Sequence, residues 1–164
     1  MNIFFHTAMS VSIAVMLYDT DQDGKKKFLI CFIAFIVGVI VHGILDYVPH
    51  GYPIPTIIDI LISVLLIGVL FWRISTDFRL LLLSSFAGNI FPDLIDLLPK
   101  LMDKYLHTTI GHNNNIFPWH WSQYSGSLYG GHYQVSYLNH ILVIIIFFII
   151  VFLNRNKLKL LFIK

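Results

Sequence analysis

Residues 28–48 read FLICFIAFIVGVIVHGILDYV, and this stretch decides the fold of the chain. An α-helix needs about 20 apolar residues to cross the hydrocarbon core of a bilayer, and the stretch is long enough to do so. Its only acidic or basic side chains are His42 and Asp46, both close to its C-terminal end. The stretch therefore predicts a transmembrane helix with a polar pair near one membrane face.

The rest of the chain has the same character, with 57% hydrophobic and only 12% charged residues among 164. Its mean hydropathy is +0.75, too apolar for a soluble domain. We predict an all-α, polytopic integral membrane helix bundle that forms one domain over residues 1–164. The predicted helices, about five in number, cover 3–18, 28–48, 56–72, 79–98 and 137–153, with an outer loop over 99–136.

The basic residues predict how these helices are oriented. Nine of the eleven lie in three segments: after the first helix, between the third and fourth, and after the fifth. Because loops rich in Lys and Arg stay in the cytoplasm, the N-terminus is expected outside. The first helix resembles a signal peptide in length, but its basic residues follow the apolar run, which favours a retained helix. The expected location is a membrane that the chain crosses several times.

Several function classes are excluded by what the chain lacks. Cys31 is the only cysteine, so disulfide frameworks and Cys-rich zinc sites are ruled out. All nine acidic residues are aspartates, which excludes the HExxH helix of metalloproteases. The basic residues form no continuous stripe, so we expect no nucleic-acid partner.

Histidine is the unusual residue of this chain. In the predicted topology all eight histidines lie at the outer face, together with five of the nine aspartates. The expected orientation depends on Lys and Arg alone, so this clustering is an independent signal. Ionisable residues inside a membrane segment indicate a functional site by default.

Two helix ends carry the strongest candidates for metal ligands. His42 and Asp46 are four residues apart and share one helical face, and His50 follows Pro49 closely enough to fold back towards them. A plain hydrogen-bonded His–Asp pair is the alternative. Asp93 and Asp96 are three residues apart on another helix, and two such carboxylates repel one another unless a cation lies between them. The alternative is that they only reach headgroup water.

A proline shapes the helix end that carries Asp93 and Asp96. Pro92 precedes Asp93, and it frees the carbonyl of Gly88 and bends the helix, which opens room for a ligand. Asp59, at the start of the third helix, stays ambiguous as a member of the site.

The remaining histidines complete a mixed nitrogen and oxygen ligand set that suits zinc, manganese or iron. His6 and His140 begin the first and last helices and could face the same space. His107 and His112 lie in the outer loop, with a spacing that fits no regular helix face. His120, between Trp119 and Trp121, is equally well explained as structural.

Three elements together resemble a known family. They are the helix that begins with His6, the segment His42-x-x-x-Asp46-x-x-Pro49-His50, and the segment Pro92-Asp93-x-x-Asp96. This combination resembles the small bacterial membrane proteins described as predicted metal-dependent hydrolases, a group distantly similar to zinc-dependent phospholipase C. The family's His-Arg-Gly-x-Thr-His-Ser element has its nearest counterpart in residues 107–112, which contain no arginine.

From the residues and the resemblance we expect a membrane-embedded hydrolase that uses a divalent metal, zinc above all. Its substrate would be a lipid or lipid-linked phosphoester at the outer face of the bilayer. Asp46, Asp93 and Asp96 are the candidate catalytic residues, because a carboxylate that does not bind the metal can act as general base. Two alternatives stay open: a noncatalytic subunit of a membrane-protein complex, braced by a His–Asp cluster, and a haem-binding electron carrier.

Overall fold

A computed structural model describes residues 1–19, 23–110, 115–128 and 133–161. Within these ranges the regular structure is helical, apart from one isolated β-bridge. The helices are α1 (Ile3–Leu17), α2 (Gly24–Tyr47), α3 (Thr56–Arg73), α4 (Thr76–Asp96), α5 (Leu98–Leu106), α6 (Tyr133–Leu153) and α7 (Arg155–Leu161), with a 3-10 turn at Pro118–His120. The all-α prediction is confirmed.

Four helices are long and apolar enough to cross a membrane. They are Gly24–Tyr47, Thr56–Arg73, Phe78–Asp96 and Gln134–Leu153. α1 has 15 residues and spans about 22 Å, less than the ~30 Å of a bilayer core. A fifth membrane span therefore stays a prediction. The outside position of the N-terminus also stays a prediction.

α1 is the central helix of the bundle, since it contacts α2, α3, α4 and α6. Nine of its residues are buried, which suits a helix that is apolar on every side. Ser10 and Ser12 satisfy their buried hydroxyls by donating to the carbonyls of His6 and Ala8 within the same helix. The short helix is thus shielded by its neighbours along most of its length.

The N-terminus of α1 is capped by a side chain from α3. Both Ile3 and Phe4 donate their backbone N–H groups to the Asp59 carboxylate, at 2.7 and 3.0 Å. The first N–H groups of a helix have no partner within it, and a buried carboxylate can accept their hydrogen bonds. Its negative charge also interacts favourably with the positive end of the helix dipole. Asp59, ambiguous in the sequence, thus holds α1 against α3.

Two glycines bring α2 and α4 into close contact. A Cβ on Gly88 would lie 2.1 Å from the carbonyl oxygen of Phe35, and one on Gly38 would lie 2.6 Å from that of Ser85. Small residues at helix crossings allow backbones to approach this closely in membranes. The crossing places the last two turns of α2 beside the C-terminal half of α4.

The predicted outer loop over 99–136 contains more regular structure than expected. α4 ends at Asp96, and α5 follows almost at once with Pro99 in its first turn, a position that proline tolerates. α5 buries none of its residues, and exposes Leu98, Leu101 and Tyr105, as an amphipathic helix lying at a membrane interface does. α6 begins at Tyr133 and so adds the last four loop residues to the helix.

Candidate metal centre

Four side chains converge where the C-terminal ends of α2 and α4 meet the segment before α6. His42 and Asp46 come from successive turns of α2, Asp93 from α4, and His120 from the 3-10 turn. One nitrogen or oxygen of each lies within 4.8 Å of those of the other three. We call these four residues the His–Asp cluster.

The distances within the cluster match those between the ligands of a tetrahedral metal. His42 Nε2 lies 3.2 Å from Asp46 Oδ2, 3.6 Å from Asp93 Oδ1 and 3.3 Å from His120 Nε2. His120 Nε2 lies 3.5 Å from Asp46 Oδ2 and 3.3 Å from Asp93 Oδ1. Ligands bound at about 2.0–2.1 Å with tetrahedral angles are separated by about 3.3 Å, so these five distances are compatible with a bound metal ion.

The hydrogen bonds of the two histidines direct their lone pairs into the cluster. The Nδ1 of His42 lies 2.5 Å from the carbonyl oxygen of Asn89, which can only accept, so Nδ1 is the donor. The Nδ1 of His120 likewise donates to the Asp96 carboxylate at 2.8 Å. In neutral rings both Nε2 atoms are then acceptors and face two carboxylate oxygens. In that state the four atoms repel one another, and either a metal cation among them or a proton on the His120 ring would relieve the repulsion.

Both histidines make the kind of hydrogen bond that metal-bound histidines normally make through their second ring nitrogen. Their second ring nitrogen usually donates to a carboxylate or a backbone carbonyl, which fixes the tautomer and the ring orientation. His120 has the first kind of partner and His42 the second. Pro92 was predicted to free the carbonyl of Gly88, but the carbonyl that His42 uses belongs to Asn89, the next residue.

The second oxygen of Asp46 is held from α1. His6 Nε2 lies 3.2 Å from Asp46 Oδ1, and the amino group of Met1 contacts the same atom. The His6 ring also stacks on His42, with centroids 4.4 Å apart. His6 is therefore placed to orient Asp46 and His42 rather than to join the four converging atoms.

Asp96 organises the segment that carries His120. Its carboxylate accepts the backbone N–H groups of Ile116 and Phe117, at 2.8 and 2.9 Å, as well as Nδ1 of His120. Burial disfavours the charged His120 ring, yet the carboxylates of Asp46, Asp93 and Asp96 raise its pKa to about 10. The site thus strongly favours positive charge at this position.

Accessibility differs across the cluster. The His42 side chain is fully buried, whereas that of Asp93 is 33% exposed. Asp93 Oδ1 is nevertheless buried, and it faces the Nε2 atoms of His120 and His42 at 3.3 and 3.6 Å. Asp93 is therefore the most exposed member of the cluster.

The other predicted ligands lie apart from the cluster. His50 contacts Tyr52 and Ser127, and His140 contacts Ser136 and packs on the ring of Phe5. His107 is exposed at the C-terminal end of α5, in a left-handed conformation with φ of 53°. His112 lies outside the described residues.

His120 is the cluster member that sequence reasoning missed. Its position between two tryptophans is equally well explained by a structural role. Trp119 instead packs against Gly43, where a Cβ would lie 2.7 Å from its ring. This packing beside His42 is set by the path of the loop, and no spacing in the sequence indicates it.

No protein-family model, curated protein or solved structure matches this chain.

Proposed function

We propose that this protein is a membrane-embedded, metal-dependent hydrolase that acts on a lipid or lipid-linked phosphoester at the outer face of a bacterial cytoplasmic membrane. The observation that carries the proposal is the convergence of four side chains that can bind a metal, with one nitrogen or oxygen of each within 4.8 Å of those of the other three. The resemblance of its motifs to predicted metal-dependent hydrolases supports hydrolysis as the reaction class.

The residues divide into three groups by position. His42, Asp46 and His120 would hold the metal, a set of two imidazoles and one carboxylate that catalytic zinc commonly takes. Zinc bound there would supply a water of lowered pKa, about 7, and would polarise the phosphoryl oxygen. Asp93 is the candidate general base, because its carboxylate borders the position and is partly exposed to an incoming ester. Asp96 and His6 orient His120 and Asp46.

A groove beside the cluster supports a lipid substrate. It holds about 520 Å³ and is lined by apolar side chains, among them Ile40, Ile44 and Trp119. Gly43, the residue after His42, also lines it. An acyl chain in this groove would bring its headgroup ester to the level of the cluster, where α2 ends.

Metal content and hydrolysis test the proposal together. Gently purified wild-type protein should contain about one divalent metal per chain by elemental analysis. In mixed micelles it should cleave a short-chain phospholipid at a phosphoester bond, since metal sites of this kind activate water at neutral pH. Chelation should abolish the cleavage and added zinc should restore it. Wild-type protein without bound metal would contradict the proposal.

A structural metal site is the second candidate, and one observation favours it. The cluster joins α2, α4 and the segment before α6, and Asp46 extends the connection to α1. Four protein ligands close a structural zinc site completely. In that case the protein would be a noncatalytic subunit of a membrane complex.

The geometry is less suited to haem, because iron held between two imidazoles separates their nitrogens by about 4 Å, wider than the 3.3 Å seen here.

An outward orientation of the site is part of the proposal, and it rests on the distribution of basic residues. In a Cys31→Ser background, Ser122→Cys should react with a membrane-impermeant thiol reagent on intact cells. Thr76→Cys, exposed at the first residue of α4, should react only after the cells are opened. The reverse pattern would place the cluster in the cytoplasm.

A further inference from the structure

A second polar cluster lies beyond the end of α2, outside the His–Asp cluster. The loop after α2 and the loop before α6 are joined by a parallel β-bridge between His50 and Ser127. The His50 N–H donates to the Gly126 carbonyl at 2.8 Å, and the Leu128 N–H donates to the His50 carbonyl at 2.7 Å. The bridge fixes the two side chains beside each other.

Gly126 is required for this approach. A Cβ at this position would lie 2.2 Å from the carbonyl oxygen of Val48, so any larger residue would separate the loops. Its N–H donates to the Asp46 carbonyl at 2.8 Å, which ties the loop to the last turn of α2. Ser127 is therefore held by backbone geometry and not by its side chain alone.

His50 presents an acceptor nitrogen to two hydroxyl groups. Its Nδ1 donates to the Val48 carbonyl at 2.8 Å, which leaves the lone pair on Nε2. Nε2 lies 3.4 Å from Ser127 Oγ and 3.4 Å from the Tyr52 hydroxyl. The side chain is buried, and this burial lowers the pKa of His50 to about 4, so the ring is neutral at pH 7.

Ser127 is arranged as a donor towards His50. Its Oγ accepts a hydrogen bond from Ser125 Oγ at 3.1 Å, so its own hydrogen is available for His50 Nε2. The Tyr52 hydroxyl lies 3.2 Å from the same Oγ and its side chain is 45% exposed. A hydroxyl, an imidazole and a carbonyl that orients the imidazole form the arrangement of an activated nucleophile. Contacts longer than 3.2 Å are common before a substrate binds.

We propose that Ser127 is a nucleophile that attacks a carboxylic ester of an amphiphile, with His50 as general base and Tyr52 as the donor to the oxyanion. The Ser127 Oγ forms a bond to the carbonyl carbon while its proton moves to His50 Nε2. Tyr52 donates to the carbonyl oxygen as negative charge develops there. The ester C–O bond then breaks, and His50 returns the proton to the leaving alcohol. Water then forms a bond to the acyl carbon while its proton moves to His50 Nε2. The bond between the acyl carbon and Ser127 Oγ breaks, the acid leaves, and His50 returns the proton to Ser127 Oγ.

An acyl substrate fits the surroundings of this triad. Val48, whose carbonyl orients His50, also lines the 520 Å³ apolar groove beside α2. An acyl chain in the groove would therefore end near His50 and Ser127. This activity goes beyond the metal-dependent hydrolysis proposed above and uses no residue of the His–Asp cluster.

A fluorophosphonate with a fluorescent reporter tests the nucleophile directly in the full-length protein. Ser127 Oγ would form a bond to phosphorus, the P–F bond would break, and the proton would pass to His50. The wild type should carry a single label, mapped to Ser127 by peptide mass, with or without a chelator. Ser127→Ala should lose the label. Ser122→Ala, an exposed serine of the same loop, should keep it.

Two further variants test the assigned roles. His50→Gln and Tyr52→Phe should each lower the labelling rate by about 100-fold, because one removes the base and the other an oxyanion donor. Tyr52 is half exposed, so its variant stays informative even if His50→Gln fails to fold. An unlabelled wild type, a labelled Ser127→Ala, or an unchanged rate in Tyr52→Phe would overturn the proposal. Retention of metal by Ser127→Ala, measured in parallel, separates such a failure from a failure of the metal centre.

Discussion

Substitution of His120 by alanine is expected to lower the zinc affinity of the protein by at least about 100-fold. Loss of an outer-shell partner of a metal ligand already costs about 10–100-fold, and His120 supplies one of the four converging atoms. The change also leaves Asp96 without its ring partner and removes a positive charge that would balance the carboxylates in the metal-free protein. Elemental analysis after equilibration with a zinc buffer measures the effect.

A matched control exists for this experiment. His107 is the same residue type and lies in the same half of the chain, but it is exposed at the end of α5. His107→Ala should retain wild-type metal content. Equal retention of metal by His120→Ala would contradict the assignment of His120 to the centre. Thermal unfolding of both variants verifies that they remain folded.

Asp93→Asn is expected to separate catalysis from metal binding. Asparagine keeps the shape of aspartate but loses its charge and its basicity. If Asp93 is the general base, phosphoester hydrolysis should fall by about 10²–10⁴-fold while His42, Asp46 and His120 retain the metal. The rate of hydrolysis and the metal content are measured on the same preparation.

The outcome of this substitution distinguishes the enzyme from the structural metal site. Simultaneous loss of metal and of thermal stability would identify Asp93 as a fourth ligand of a closed site, and the bracing role would then be preferred. Hydrolysis at the wild-type rate would exclude Asp93 as the base. Asp103→Asn is the control, because Asp103 lies on α5, outside the cluster, where it accepts hydrogen bonds from Thr108 and Ile110 just after that helix.

Local spacing in the sequence singled out three of the four residues of the His–Asp cluster: His42, Asp46 and Asp93. His42 and Asp46 share a helical face because they are one turn apart, and this follows from helix geometry alone. Asp93 was singled out by the same argument on α4. The crossing of α2 and α4 at Gly38 and Gly88 brings the two helix ends together. No periodicity in either helix specifies this crossing.

Residues of the connecting segments could not be placed by such reasoning. His50 follows Asp46 by four residues, yet the β-bridge to Ser127 turns it towards Tyr52. Nothing in the sequence favoured His120 as a ligand, because its place in the cluster depends on the hydrogen bond from its ring to Asp96. Both positions depend on backbone hydrogen bonds between segments that are distant along the chain.

The sequence by itself determined which segments are apolar helices and that the histidines gather near their ends. Hydropathy and helical spacing act over about 20 neighbouring residues, so they can be deduced from the order of the residues alone. Only the tertiary structure decided which of these side chains meet. Asp96 caps Ile116 and Phe117 across 20 and 21 residues and thereby sets the position of His120. The contacts of a loop depend on the packing of the whole bundle. For that reason, His120 as the fourth member of the cluster and the Ser127–His50 pair could be found only in the tertiary structure.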